Sequence, residues 1–187
     1  MDQRTFVTFL GIAEKLKCNT RHSYTTTGRK ESVAEHSWRL ALMAMLCADE
    51  YPHLDMNKVI KMCLIHDLGE AVTGDVPAFY KTDGHREEED KAVESLLASL
   101  PSPHREEFTA LFGEMDAMET EEAKLYKALD NLEAVISHNE ADLSTWIPLE
   151  YTENLVYGEK NCAFSPWTAE LRRLLKEDSL QKIERGQ

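Results

Sequence analysis

Leu64-Ile65-His66-Asp67-Leu68-Gly69-Glu70, continuing to Gly74-Asp75-Val76-Pro77, is the stretch on which the reading of this chain turns. His66, a neutral metal ligand, and the carboxylate of Asp67 stand side by side inside an apolar run. A second carboxylate, Glu70, follows one helical turn on, and a third, Asp75, comes just after a glycine. Burying so many ionisable groups among Leu, Ile, Cys and Val is costly unless something positive compensates them, and a divalent cation is the usual answer. The stretch therefore predicts a metal-dependent hydrolase.

Working outward, Val59, Ile60, Cys63, Leu64 and Leu68 recur at helical spacing, so a helix over about 56–72, capped by Asp55, carries the stretch. Before it, Ser32 followed by Glu35 forms a capping box that opens a helix over about 33–50, with Leu40, Ala41, Ala44, Met45 and Ala48 as its stripe. Phe6, Phe9, Leu10, Ala13 and Leu16 predict an amphipathic helix over about 3–17. Cys18 to Lys30 is polar and rich in threonine and reads as a loop holding three cations, Arg21, Arg29 and Lys30. It is long for a connection between helices, which suits either a functional loop or an ordinary solvated one.

Downstream, Gly74, Pro77 and Gly84 mark a turn-rich segment, and a charged helix start at His85 runs to about Leu100. A shorter helix over about 106–115 follows Pro101 and Pro103, then a long one from Thr120 to about Glu140. The stretch 144–166 is irregular, with Trp146, Tyr151 and Tyr157 placed either at a subunit contact or folded back over the core. A last helix covers about 167–184. No repeat is visible and β-type alternation is nowhere sustained, so the class is all-α.

Composition sets the outer bounds. The chain has 187 residues, 42% hydrophobic and 29% charged, which suits one domain with a sizeable core. Its formal charge of −13 argues against DNA or RNA as a partner, while a small phosphorylated substrate remains compatible with local cations and a metal. No apolar run approaches the roughly 20 residues of a membrane-spanning helix. Met1-Asp2-Gln3-Arg4-Thr5-Phe6 reads as a helix start rather than a signal peptide, so a cytoplasmic protein is expected. Cys18, Cys47, Cys63 and Cys162 form no C-x-x-C pair, and Cys47 and Cys63 read as small buried hydrophobes.

His66 and Asp67, about 100° apart on a helix, can lean toward one point, with Glu70 on the same face. Further ligands must come from other helices. His36, one turn into its helix on the apolar side, and Asp130, an acid between Leu129 and Leu132, are the candidates. His53, His85, His104 and His138 read as surface residues. A metalloprotease of H-E-x-x-H type would need a histidine where Glu70 stands, and the one E-x-x-H spacing, Glu50 to His53, is interrupted by Pro52.

These residues, His36, then His66-Asp67, then Asp130, resemble the signature of the HD-domain phosphohydrolases. Their separations, 30 and then 64 positions, suit that family. The surrounding words match as well: Glu35-His36-Ser37, His66-Asp67-Leu68-Gly69-Glu70, Gly74-Asp75-Val76-Pro77 and Leu129-Asp130. The resemblance implies a single HD-domain helical bundle over 1–187, with a metal-binding core over about 30–140 and the metal site between helices. One divalent metal ion (Mn, Co, Ni, Fe, Zn or Mg) would sit on His36, His66, Asp67 and Asp130. Within the family the chain looks most like the bacterial 5′-deoxynucleotidases, in which an Arg-Trp pair ahead of the first metal His contacts the substrate. Arg21 stands at the corresponding place, with His22 where that Trp would be, which bears on sugar selectivity.

The expected reaction is hydrolysis of a (deoxy)nucleoside 5′-monophosphate to nucleoside and phosphate. The metal would polarise the phosphoryl group and lower the pKa of a water. Glu70 would move the proton, with Asp67 the second catalytic carboxylate. Arg21 would hold phosphate oxygens, and Asp75 would accept from a sugar hydroxyl, as the resemblance implies. Arg29 and Lys30 are further phosphate candidates. The family resemblance also implies a homodimer. Two other readings stand beside this one: a different phosphate ester or pyrophosphate as substrate, or a non-catalytic metal-stabilised module that binds a nucleotide. Glu70 separates enzyme from binder, because a binder has no need of an acid/base group one turn from the metal.

Overall fold

The computed structural model describes residues 1–186. Helix α1 (Gln3–Ala13) starts where the Asp2 carboxylate accepts from the backbone N–H of Thr5 at 2.9 Å, and a 3₁₀ turn carries the winding on to Lys17. The chain then forms β1 (Thr20–Tyr24) and β2 (Lys30–Ser32), an antiparallel pair with Thr20 opposite Ser32 and Tyr24 opposite Lys30. This corrects the loop expected over Cys18 to Lys30. The buried positions of the ribbon are polar: Ser23 donates to Glu31 at 3.0 Å in the interior. No hydrophobic alternation therefore marks these strands, because their inner face serves a polar cavity instead of the apolar core.

Helix α2 (Val33–Leu46) opens on the expected capping box: the Glu35 N–H donates to Ser32 Oγ at 3.3 Å, and the Ser32 N–H donates back to Glu35 Oε2 at 2.8 Å. Helix α3 (Met56–Ile65) is capped by Asp55, which accepts from Lys58 at 3.2 Å. It stops at Ile65, so the single helix expected through 72 is instead two pieces, and α4 (Glu70–Thr73) is the second. Between them the backbone tightens to three-residue closures, Leu68 N–H to Ile65 at 2.9 Å and Glu70 N–H to Asp67 at 3.0 Å. Gly69 permits a close neighbour here: a Cβ on it would stand 2.9 Å from both Glu89 Cγ and Val93 Cγ2.

Those two residues belong to α5 (Asp83–Ala98), which is capped by Thr82 and starts at Asp83, two positions ahead of His85. Then come α6 (His104–Ala117), the long α7 (Glu121–Glu140), two short helices α8 (Glu150–Glu153) and α9 (Glu159–Cys162), and α10 (Pro166–Arg185). The architecture is helical, with the ribbon as its one sheet among the described residues. No helix among them is long and apolar enough to cross a membrane.

The main core forms where α2, α3 and α7 face one another, with Leu40, Val59, Met62, Leu125, Leu129 and Leu132 all fully buried. Cys47, Cys63 and Cys162 are buried free thiols within this packing, and Cys18 is exposed. A smaller cluster, Leu16, Val33, Leu68, Ala71 and Leu96, ties α1, α4 and α5 to the start of α2. Trp146 folds back over the bundle, 7% exposed, its indole N–H donating to the His138 carbonyl at 2.9 Å. Tyr157 packs against the core as well.

Candidate metal centre and the cavity around it

Helices α2 and α7, with the tightened turn after α3, each turn a polar side chain toward one point. His36 Nε2 lies 3.3 Å from His66 Nε2 and 3.1 Å from Asp130 Oδ1. His66 Nε2 lies 3.1 Å from Asp67 Oδ2 and 3.7 Å from Asp130 Oδ1. Nitrogen and oxygen donors held about 2.0–2.2 Å from one cation stand roughly 3.0–3.4 Å apart, whether the geometry is octahedral or tetrahedral. His36 Nε2, His66 Nε2 and Asp67 Oδ2 form one candidate ligand group, with the 3.1 and 3.3 Å approaches to His66 inside that range and Asp130 Oδ1 beside both imidazoles at 3.1 and 3.7 Å; two imidazoles and two carboxylates are a donor set that fits a divalent ion.

Both imidazoles are oriented for ligation. His36 is fully buried and its Nδ1 is paired with the Glu133 carboxylate, which is also fully buried. His66 Nδ1 donates to the Cys63 carbonyl at 3.0 Å. Each ring thus turns its Nε2 toward the centre, and there offers a lone pair once that nitrogen is deprotonated. Glu133 accepts in turn from Arg39 Nε at 2.6 Å and Ser137 Oγ at 3.1 Å. Burial alone would drive the His36 proton off and Arg21 adds to that effect, but Glu133 and Asp130 outweigh both and raise its pKa to about 9.

The two aspartates stay ionised. Burial opposes charge on Asp67, but His66, His36 and Arg21 overcome it and hold its pKa below the usual range. Asp130 is likewise depressed against its burial by Lys127, whose Nζ donates to Oδ2 at 2.7 Å, and by the two histidines. Glu70 behaves oppositely. It is 4% exposed, Oε2 finds no hydrogen-bond partner among the described residues, and burial together with Asp67, Asp75 and Glu89 pushes its pKa up to about 10. Lys81, 4.0 Å from Glu70 Oε1 and paired with Glu89, offsets only part of that repulsion.

A cavity of about 450 Å³, lined by Arg21, Asp67, Glu70, Asp75, Lys127 and Asp130 among others, opens beside this centre. Its volume suits a small polar ligand. Arg21, projecting from β1, has Nη1 3.6 Å from Asp67 Oδ2 and Nε 3.8 Å from Glu31 Oε2. Asp75, reached through the left-handed Gly74 at φ 78°, is raised in pKa mainly by burial, with Asp67 adding to it. Asn131 lines the same wall, and Gly158 presses on it: φ is 76°, and a Cβ there would meet Asn131 Cβ at 2.5 Å.

The structure thus brings together His36, His66, Asp67, Asp130, Glu70, Arg21 and Asp75. His22 lies apart from the metal cluster, in a neighbouring recess. Arg29 lies outside the cavity and pairs with the partly exposed Glu35 through Nη1 at 2.8 Å; Lys30 is exposed and lines no part of it, so neither joins the phosphate candidates. His138, expected at the surface, is packed inside with its side chain 13% exposed. Glu133, Lys127, Lys81 and Glu31 escaped the sequence reading. The signal available for Lys127 and Glu133 was their spacing of three on either side of Asp130, one helical turn each way. Nothing in the local sequence ties Glu31 or Lys81 to the centre.

A sequence profile described as HD domain matches residues 13–172. The human 5′-deoxynucleotidase HDDC2 is 33% identical over 142 residues, 73% of this chain and 68% of that protein. The 5′-deoxynucleotidase hdd1 of Schizosaccharomyces pombe is 29% identical over 175 residues, 89% of this chain and 82% of its own length. Among solved structures, a predicted metal-dependent phosphohydrolase from Magnetospirillum magnetotacticum superposes with a TM-score of 0.82 at 32% identity, covering 96% of this chain and 93% of that one.

Proposed function

The chain belongs to the HD domain family, and on that premise we propose that it is a metal-dependent phosphohydrolase that cleaves deoxynucleoside 5′-monophosphates to nucleoside and phosphate. The observation that carries this reading is the gathering of His36, Asp67 and Asp130 donor atoms at 3.1–3.7 Å from His66 Nε2, beside a cavity that also holds an arginine and a protonatable glutamate. We take residues 1–187 as one HD domain.

His36, His66, Asp67 and Asp130 would hold one divalent ion, whose charge polarises a phosphoryl oxygen and acidifies a nearby water. Arg21 lies close enough to Asp67 to grip non-bridging phosphate oxygens beside the centre. Burial and then the repulsion of Asp67, Asp75 and Glu89 keep a proton on Glu70, and a cation on Asp67 would remove part of that repulsion and lower the pH at which the carboxyl exchanges its proton. It takes the proton from the attacking water as the new P–O bond forms, and returns it to the 5′-oxygen as the old P–O bond breaks. Asp75, which lines the same cavity, accepts from a sugar hydroxyl.

The donor set tolerates Mn, Fe, Co, Ni, Zn or Mg. We expect a cytoplasmic enzyme, and a homodimer as the family resemblance implies, which sedimentation equilibrium would test. The decisive assay is phosphate release from a panel of deoxy- and ribonucleoside 5′-monophosphates across metals, with Asp67→Ala as control. Release that depends on added metal and vanishes in Asp67→Ala supports the reading. No release from any member of the panel overturns it.

A further inference from the structure

Lys127 stands one turn before Asp130 on α7, and that spacing lays the two side chains along one face of the helix. Its Nζ donates to Asp130 Oδ2 at 2.7 Å, while Oδ1 of the same carboxylate faces His36 Nε2 at 3.1 Å and His66 Nε2 at 3.7 Å. Asp130 is therefore divided, with one oxygen toward the metal centre and the other on an ammonium.

An ordinary pair of this spacing would end there, the lysine serving only to steady the aspartate. Two observations go further. The Lys127 side chain keeps 37% of its surface exposed, against 12% for Asp130, and it lines the cavity together with Arg21, Asp67 and Glu70. A neighbouring groove lined by His66, Phe112 and Tyr126 reaches Lys127 as well, so the residue stands between two open spaces. An ammonium also carries three donors, and the bond to Asp130 is the one hydrogen bond that the Lys127 side chain makes among the described residues. The Tyr126 ring, with its centroid 5.9 Å from Nζ and itself 5.5 Å from the His66 ring, supports the charged head beside the centre.

Arg21 holds the corresponding place on the other carboxylate, with Nη1 3.6 Å from Asp67 Oδ2. Two cations thus stand on the two aspartates of one centre, and both face the same cavity. A phosphate monoester brings up to two negative charges and three non-bridging oxygens. The two aspartates match a divalent ion, and Arg21 is shared with Glu31 at 3.8 Å, so Lys127 supplies the cation left to meet the ester. We propose that Lys127 is a second phosphate-gripping residue, keeping one N–H on Asp130 Oδ2 and donating another to a non-bridging phosphoryl oxygen. The ammonium gives up no proton; it stabilises the charge on that oxygen while the bond to the 5′-oxygen breaks. Asp130 aims it, and Arg21 holds the ester from the Asp67 side. This assignment rests on the nucleotidase reading given above.

The test uses Lys127→Met, which keeps the stem and removes charge and donors. It is run at saturating manganese, with the spin-resonance signal of the free ion confirming full loading, so that any weakening of the metal site does not enter. Titration calorimetry with inorganic phosphate is expected to show binding at least fivefold weaker than in the native chain. The kcat/KM for a deoxynucleoside 5′-monophosphate is expected to fall about 100-fold. Melting curves check folding, and where Lys127→Met does not fold, Lys127→Gln is read by the same numbers. A loss of phosphate affinity smaller than fivefold, or a kcat/KM within fivefold of native, overturns the proposal and leaves Lys127 as a support for Asp130 alone. A native chain that takes up no phosphate overturns it too. If no nucleotide releases phosphate, the nucleotidase reading fails separately, and the phosphate titration by itself decides Lys127.

Discussion

Glu133 and His36 are paired in the interior of the bundle, the carboxylate of one taking the Nδ1 hydrogen of the other while both side chains are fully buried. That contact, made across 97 positions of sequence, turns His36 Nε2 toward Asp130 and His66. Replacing the carboxylate by an amide keeps the shape but weakens the hold on the tautomer. Glu133→Gln is expected to lower metal affinity roughly tenfold to a hundredfold. Competition against a fluorescent chelator measures it, and native affinity in the variant would remove Glu133 from the centre.

Glu70 carries a stability penalty with a definite sign. Its pKa in the folded, metal-free chain is about 10 against an ordinary 4.5, so the folded state binds the proton more tightly than the unfolded state. Below pH 4.5 the penalty is absent; it grows as pH rises from there toward 10. Glu70→Gln is therefore expected to melt higher than the native chain at pH 7 in the presence of chelator, and to show no such gain at pH 4. The same variant should lose about 100-fold to 10,000-fold in kcat while still binding metal. A variant that is both active and unstabilised would contradict the placing of this carboxyl.

Arg21 offers a planar fork that a lysine lacks. Arg21→Lys keeps the charge but loses paired contacts to phosphate, and a KM increase of roughly tenfold is expected with a smaller change in kcat. Arg21→Ala should raise KM further. Steady-state kinetics decide the point, and a KM unchanged in both variants would place the phosphate elsewhere.

Gly158 combines a left-handed backbone with a 2.5 Å approach to Asn131, the residue after Asp130. Gly158→Ala is expected to cost about 1–3 kcal/mol, from strain and from displacement of Asn131. Thermal unfolding with metal bound and removed tests it. The cost should be accompanied by weaker metal binding, because Asn131 follows Asp130 on α7 and lines the same cavity.

At the start of α2, the Arg29 fork and the Ser32 hydrogen bonds hold the Glu35 carboxyl down at about 2. A depressed carboxylate contributes stability that is present above pH 4.5 and lost as pH falls toward 2. The pair is substantially exposed, so solvent screening limits the effect to on the order of 1 kcal/mol. Glu35→Gln should therefore melt lower than the native chain at pH 7 and match it near pH 2; a constant difference across that range would assign the effect to packing.

Some of this was legible in the residues because it is local. Ser32 and Glu35 meet through a backbone turn, the apolar stripes of α2, α3 and α7 follow the helical period, and Asp55 caps the helix that begins beside it. The same local rules explain what was misread. β1 and β2 escaped because their buried residues are polar, and the end of α3 at Ile65 escaped because the apolar stripe runs on past it to Leu68 while the backbone tightens.

The sequence by itself determined which residues could bind a cation, since His36, His66, Asp67 and Asp130 are ionisable or ligating groups set on apolar faces. Only the tertiary structure decided what those groups feel. Glu133 reaches His36, Lys127 neutralises one side of Asp130, Glu89 and Asp75 crowd Glu70, and His22, His138, Glu150 and Asn154 gather around one recess. Proton affinity and ligand fit depend on charges and volumes within a few ångströms, and in this chain those neighbours come from elements far apart in sequence.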